Sequence, residues 1–405
     1  MQFKSVGGFG FEKQQGAAFA ILLNTLSWYF IGYLTVGKIG SAFPESSIEN
    51  LALNLVFPSS IIVSALAGSV FLANIRRTRF FFAWVLLGIV SSLGLGFFVG
   101  SSLSTMLVMV GIMGVFFGLG TPMCLSYFSE SISIEHRGKV GGVILFGTIL
   151  SAPLAYVIMS PLDLMMSGVL LAAWRAWSLP FLFLTSEKPQ MRVSEEKLPS
   201  LASILQNRTF LLYFAAWLMF ALVDSFEARV VNTTIGDFRF FIRVVEPAIA
   251  ACSAIVAGLL SDWIGRKRVL LFGFASLGVA YATIGLLSRV WFSWLFYFVV
   301  DGTALGLLWV LFLIVLWGDM SEKNSAKFYA VGEAPFFLTR IFSAVLAPYV
   351  ALIPETGAFS LAAFFLFVAV IPLIYVPETL PEKKLKDREL KMYVDKAMKI
   401  KEKHT

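Results

Sequence analysis

Charge is scarce in this chain. Only 14% of its 405 residues are Asp, Glu, Lys or Arg and 58% are hydrophobic, where an ordinary globular protein has roughly 25% charged residues. That balance excludes a soluble fold, because a chain of this size cannot hide so much apolar surface, 40 phenylalanines included, in one core. Histidine is nearly missing. His136 and His404 both lie in polar segments, which leaves no His-rich metal site, no haem and no intramembrane histidine relay. With no clustered His or Cys, an integral-membrane enzyme is not expected. Cys124 and Cys252 each sit in an apolar run, where a thiol behaves as a small hydrophobe. No Walker loop is present, so neither ATP nor any other cofactor is expected.

What the chain has instead is apolar length. Segments that suit a bilayer crossing of about 20 residues run near 16–38, 50–73, 80–100, 102–128, 139–160 and 162–184. The polar stretch Thr185 to Arg208 interrupts them, and six more follow near 209–231, 240–260, 269–287, 291–318, 329–351 and 358–376. The expected organisation is an all-α membrane protein of 12 helices in two pseudo-symmetric halves. Residues 1–184 form one six-helix bundle, 185–208 a cytoplasmic linker, 209–376 the second bundle and 377–405 a basic tail.

The excess of 32 Lys and Arg over 25 Asp and Glu reflects topology rather than nucleic-acid binding. Basic residues are held on the cytoplasmic side during insertion, and they concentrate in alternate loops: Arg76, Arg77 and Arg79; Arg137 and Lys139; Lys188 to Arg208; Arg266 to Arg268; Lys323 and Lys327. Both termini are therefore expected in the cytoplasm and the chain in the plasma membrane. In the tail, Leu390, Val394 and Met398 at helical spacing suit an amphipathic segment at a lipid surface.

The run Gly258-Leu-Leu-Ser-Asp262-Trp-Ile-Gly265-Arg266-Lys267-Arg268 joins a close-packing glycine, a carboxylate able to pair with Arg266 or cap a neighbouring helix, a turn glycine and three basic residues. It resembles the loop signature of the major facilitator superfamily at every defined position. Glu130 followed after six residues by Arg137-Gly138, and Pro377-Glu378-Thr379 after the last span, resemble loop motifs of that family's sugar-porter branch. The acidic position which that branch places after its first-helix Gly-Tyr is Leu34 here. An offset of 190 positions carries Gly68 to Gly258, Arg76 to Arg266 and Arg137 to Lys327, as two repeated halves require. The resemblance implies a secondary transporter working by alternating access. Its expected partners are a small organic solute such as a sugar, protons and the lipid bilayer, with the chain acting as a monomer. An exporter of the same fold and a non-transporting sensor are the alternatives. Gly258, Asp262, Gly265, Arg266, Lys267, Glu130 and Arg137 would form its gate loops.

Charges at membrane depth cost at least about 2.5 kcal/mol and mark cavities, pairs or relays. They fall in the second half: Asp224, Glu227 and Arg229, Arg243 and Glu246, Asp301, Glu333 and Arg340. The repeat offset maps Asp224, Arg243, Glu246, Asp301, Glu333 and Arg340 onto uncharged residues. Asp301 and Arg340 share a depth near the midplane on consecutive spans and are expected to pair. Asp224 and Glu246 are expected further out, in a gate or coupling network. Asn24 and Tyr33 in the first half offer hydrogen bonds to a solute. Arg175, between Trp174 and Trp177, is expected to stretch its guanidinium to the cytoplasmic surface.

Overall fold

In the computed structural model, the described residues are 12–44, 47–72, 76–98, 102–185, 200–234, 241–321, 325–350, 353–381 and 390. Most of the amphipathic tail therefore lies outside them. The helices are α1 (Lys13–Gly40), α2 (Ile48–Phe71), α3 (Arg77–Phe97), α4 (Leu103–Ser131), α5 (Arg137–Met159), α6 (Leu164–Ala176) and α7 (Leu179–Leu182). The short α8 (Leu201–Leu205) precedes α9 (Arg208–Thr234), α10 (Glu246–Ile264), α11 (Arg266–Leu287), α12 (Trp291–Trp309), α13 (Leu316–Asp319), α14 (Ala326–Gly332), α15 (Ala334–Val350) and α16 (Glu355–Tyr375). A wide π-turn, Val310–Val315, joins α12 to α13 in one continuous rod.

Ten helices among the described residues are long and apolar enough to cross a bilayer. The other two expected spans, 162–184 and 329–351, are broken. The first divides between α6 and α7, and the second bends at Glu333 between α14 and α15. Side chains such as Phe71, Phe272 and Leu286 project from the bundle, as lipid-facing positions do, and the protein is a membrane protein.

Small residues set the packing. A Cβ on Gly306 would lie 2.4 Å from the carbonyl oxygen of Ala250, and one on Gly302 would lie 2.8 Å from that of Glu246. These glycines let α12 lie directly against α10. Gly114 and Gly118 do the same for α4 on α2, where an added Cβ would meet the Phe57 and Ile61 carbonyls at 2.8 and 2.3 Å. Between the halves, α5 packs on α10 and α2 packs on α15.

Candidate functional site

Three buried polar assemblies lie along the bundle. The first closes its linker end. Asp262, the last acid of α10, accepts hydrogen bonds from the backbone N–H groups of Gly138 (3.0 Å) and Lys139 (2.7 Å). It thereby caps the first turn of α5 across the halves, where unpaired N–H groups and the helix dipole both favour a carboxylate. Close approach makes this possible, since a Cβ on Gly258 would fall 2.2 Å from the Gly138 oxygen. Gly265 turns the chain from α10 into α11 at φ 104°, a conformation that favours glycine. Arg266 is thereby directed inward. It is fully buried, pairs with Asp262 (2.9 Å) and Asp319 (3.0 Å), and donates to the carbonyl oxygens of Ser261 (2.7 Å) and Ile134 (2.6 Å). Arg137 of the first half reaches the other oxygen of the same Asp319. Glu378 accepts from the N–H groups of Arg266 (2.9 Å) and Lys267 (3.0 Å), which caps α11. The Lys267 ammonium donates to the Ile374 carbonyl at the end of α16 (2.7 Å).

Of the gate-loop residues expected from sequence, this latch unites Gly258, Asp262, Gly265, Arg266, Lys267 and Arg137. Glu130 stands apart, bound to Arg77 (3.0 Å) within the first half and partly exposed. Asp319 was missed. It is a lone acid at the end of a span whose partner Arg137 lies 182 positions away, and only the third dimension joins them.

The second assembly lies near the opposite end of the second half. Glu246 and Asp262 are 16 residues apart on α10, about 24 Å at 1.5 Å per residue. Asp301 accepts from the hydroxyl of Tyr281 (3.1 Å) and is hydrogen-bonded to Glu246. The Tyr281 and Tyr297 rings are 5.6 Å apart, and the Tyr297 hydroxyl donates to Glu227. Asp224 stands within electrostatic reach of both Asp301 and Arg340. The expected Asp301–Arg340 pair does not form. Equal depth did not place the two on facing sides: Arg340 lies 4.2 Å from the centre of the Tyr33 ring and is hydrogen-bonded to Tyr29, both on α1. The supposed outer network and midplane acid are instead one cluster of four carboxyl groups and two tyrosines. The side chains of Arg229 and Arg243 lie outside the described residues.

The third lies inside the first half and corrects two expectations. Arg175 does not reach the surface. Its guanidinium is fully buried between the indoles of Trp28 (4.8 Å) and Trp84 (4.2 Å), and it donates to Asn24 Oδ1 (2.9 Å) and Thr25 Oγ1 (3.1 Å). A Cβ on Gly88 would come 3.0 Å from its Nε, so the glycine makes the room. Asn24, expected to face a solute, spends its amide on Arg175 and on the Trp174 carbonyl (2.6 Å).

Between the halves a cavity of about 20 Å³, room for one water, is lined by Tyr29, Phe30, Phe117, Phe336 and Phe337 together with Glu333. Rings from both halves close it. Phe30 lies 5.9 Å from Trp309, and Tyr29 lies 5.5 Å from Phe337.

Comparison with known proteins matches this architecture. The family model described as Major Facilitator Superfamily matches residues 240–400. Among solved structures, the chain resembles the major facilitator proton:xylose symporter XylE bound to 6-bromo-6-deoxy-D-glucose. That match has a TM-score of 0.65 and 17% identity over 90% of this chain and 97% of the other. It also resembles the human organic anion transporter MFSD10, with a TM-score of 0.63 and 14% identity over 89% and 99% of the two chains. A double-tryptophan mutant of XylE matches at 0.67, with 15% identity over 93% and 98%. Comparison with curated proteins gave no match. The family-model match covers residues 240–400, and the chain has the fold of the major facilitator transporters it resembles.

Proposed function

We propose that the protein is a proton-coupled secondary transporter that moves a small organic solute by alternating access. In this reading twelve helices form two six-helix halves, with the linker, the tail and both termini in the cytoplasm of a plasma-membrane protein. The observation that carries it is the latch, in which Asp262, Arg266, Asp319 and Arg137 bridge the two halves at the linker end with buried charges. A permanent join between helices would more economically be apolar, since buried ion pairs add little net stability. Charged groups that can be rehydrated when the halves part suit an interface that opens. The cluster of Asp224, Glu227, Glu246 and Asp301 supplies the groups on which a proton would ride, with Asp301 at its centre. The carboxyl groups have tyrosine hydroxyls and one another as partners, and a rearrangement of α9, α10 and α12 changes which of them is best satisfied.

The test is the purified protein in liposomes containing a pH dye, challenged with sugars, organic acids and amphipathic cations. Internal pH should change with one solute class and not with the others, and no pH change and no uptake with any class would reject the reading. Orientation is checked separately with a single cysteine at Gln206 in the exposed linker end. An impermeant thiol reagent should leave it unlabelled in intact cells.

A further inference from the structure

Glu333 is the buried charge that the latch, the acid cluster and the guanidinium cage leave unexplained. It is 5% exposed, it sits at the break between α14 and α15, and it lines the cavity between the halves. Its backbone is satisfied by Tyr329 and Phe336, yet among the described residues its carboxyl group makes no hydrogen bond or ion pair. The ionisable groups within reach are Cys124 and Tyr329, neither of which brings positive charge. Arg340, seven residues on and about 10 Å along the axis, is engaged with Tyr33 and Tyr29.

An ionised carboxyl group buried without a partner is expensive and is neutralised by a proton while the site is empty, so an entering cation supplies the partner that lets it ionise. The surroundings choose the entrant. Four phenylalanine rings and Tyr29, with three leucines, line the cavity beside the acid, and ring faces attract cations while offering a carbohydrate few hydrogen bonds. The polar groups beside them are already occupied: Thr121 donates to the Phe117 carbonyl (2.8 Å), and Tyr29 serves Arg340. Glu333 also stands at the one-residue junction of α14 and α15, so the interruption of this helix lies against the cavity.

We propose that Glu333 recognises a positively charged nitrogen on the solute, and that the transported class is an organic ammonium compound with an apolar or aromatic body seated among Tyr29, Phe30, Phe117, Phe336 and Phe337. This rests on the transport reading and adds the substrate class to it. As the halves open, the rings part and the cavity enlarges to admit the body, while the acid holds the charge.

The experiment measures binding of radiolabelled benzyltrimethylammonium to the purified full chain, with tetraphenylphosphonium, phenylacetate and glucose as competitors. The parent should bind the probe and release it to tetraphenylphosphonium alone. Glu333→Gln should weaken binding at least about tenfold, the equivalent of one lost ionic contact of about 1.4 kcal/mol, and Glu333→Asp should recover part of it. Matching gel-filtration profiles keep misfolding out of the comparison. Equal affinity in the parent and in Glu333→Gln overturns the proposal, as does a parent that binds neither cation. The two readings fail differently. A cation that is bound through Glu333 but never crosses the liposome membrane rejects transport and leaves recognition standing. A neutral or anionic solute carried with protons, with no cation bound, keeps transport and makes Glu333 a proton site.

Discussion

Arg175 in the first half and Glu333 in the second are both buried, both lie beside a break in their span, and neither has an opposite charge as partner among the described residues. Their surroundings differ. Arg175 is enclosed by two indoles and given two oxygen acceptors that belong to its own half. Glu333 faces a cavity lined from both halves, and no described residue hydrogen-bonds its carboxyl group. Arg175 keeps Nε and Nη2 without a hydrogen bond among the described residues, but all its partners belong to one bundle, which makes it structural, whereas a charge left open on the path between bundles is available for traffic. The same division holds at the latch. The first half's Arg77–Glu130 pair is about a quarter exposed and stays within that half, while the side chain of Asp319 is fully buried and binds an arginine from each half.

Substitutions at four positions test that division. The largest effect is expected at the acid cluster: Asp301→Asn should abolish proton-driven accumulation in liposomes yet permit exchange of solute between equal pools, which needs no net proton movement. Accumulation equal to the parent's would break the assignment of coupling to the second half. Next, Asp319→Asn leaves two buried guanidinium groups with one fewer partner, a loss of about 3–5 kcal/mol. Thermal unfolding in detergent should move down, and a cysteine near Gly138 should become labelled from the linker side. Arg175→Met removes two ring contacts and two hydrogen bonds, so stability should fall by about 2 kcal/mol while transport by the surviving folded protein keeps its coupling. Loss of coupling there would show that the first half's charge is not merely structural. The smallest change is expected for Glu130→Gln, under about 1 kcal/mol because the pair is solvated. A shift as large as that of Asp319→Asn would erase the contrast between the two ends of the repeat.

The helices were legible because a bilayer demands long apolar runs, and α1 to α5 fall where those runs fall. The breaks at Ser178 and Glu333 were not, since composition stays apolar through both. In the latch, the Asp262–Arg266 pair and the Gly265 turn follow from short-range chemistry, within four residues of one another. Asp319 carried no such local sign. For Arg340, depth along the helix could be counted but the direction of its side chain could not, and the ring of Tyr33, not Asp301, proved to be its neighbour. Asn24 was misjudged for a related reason. A polar residue on a cavity-forming helix has two sides to face, and the arginine that claims it is 151 residues downstream.

The cage around Arg175 also bears on how the chain is made. Asn24, Thr25, Trp28 and Trp84 all precede Arg175 in the sequence, so a ribosome has finished every group of the cage before it adds the arginine. Alone in lipid, α6 would carry an unshielded cation on a helix of 13 residues, about 20 Å long against a hydrocarbon layer of about 30 Å. Its entry into the bilayer therefore depends on α1 and α3 already standing there, and the last span of the first half is the one whose membrane integration is conditional on the assembly of its predecessors.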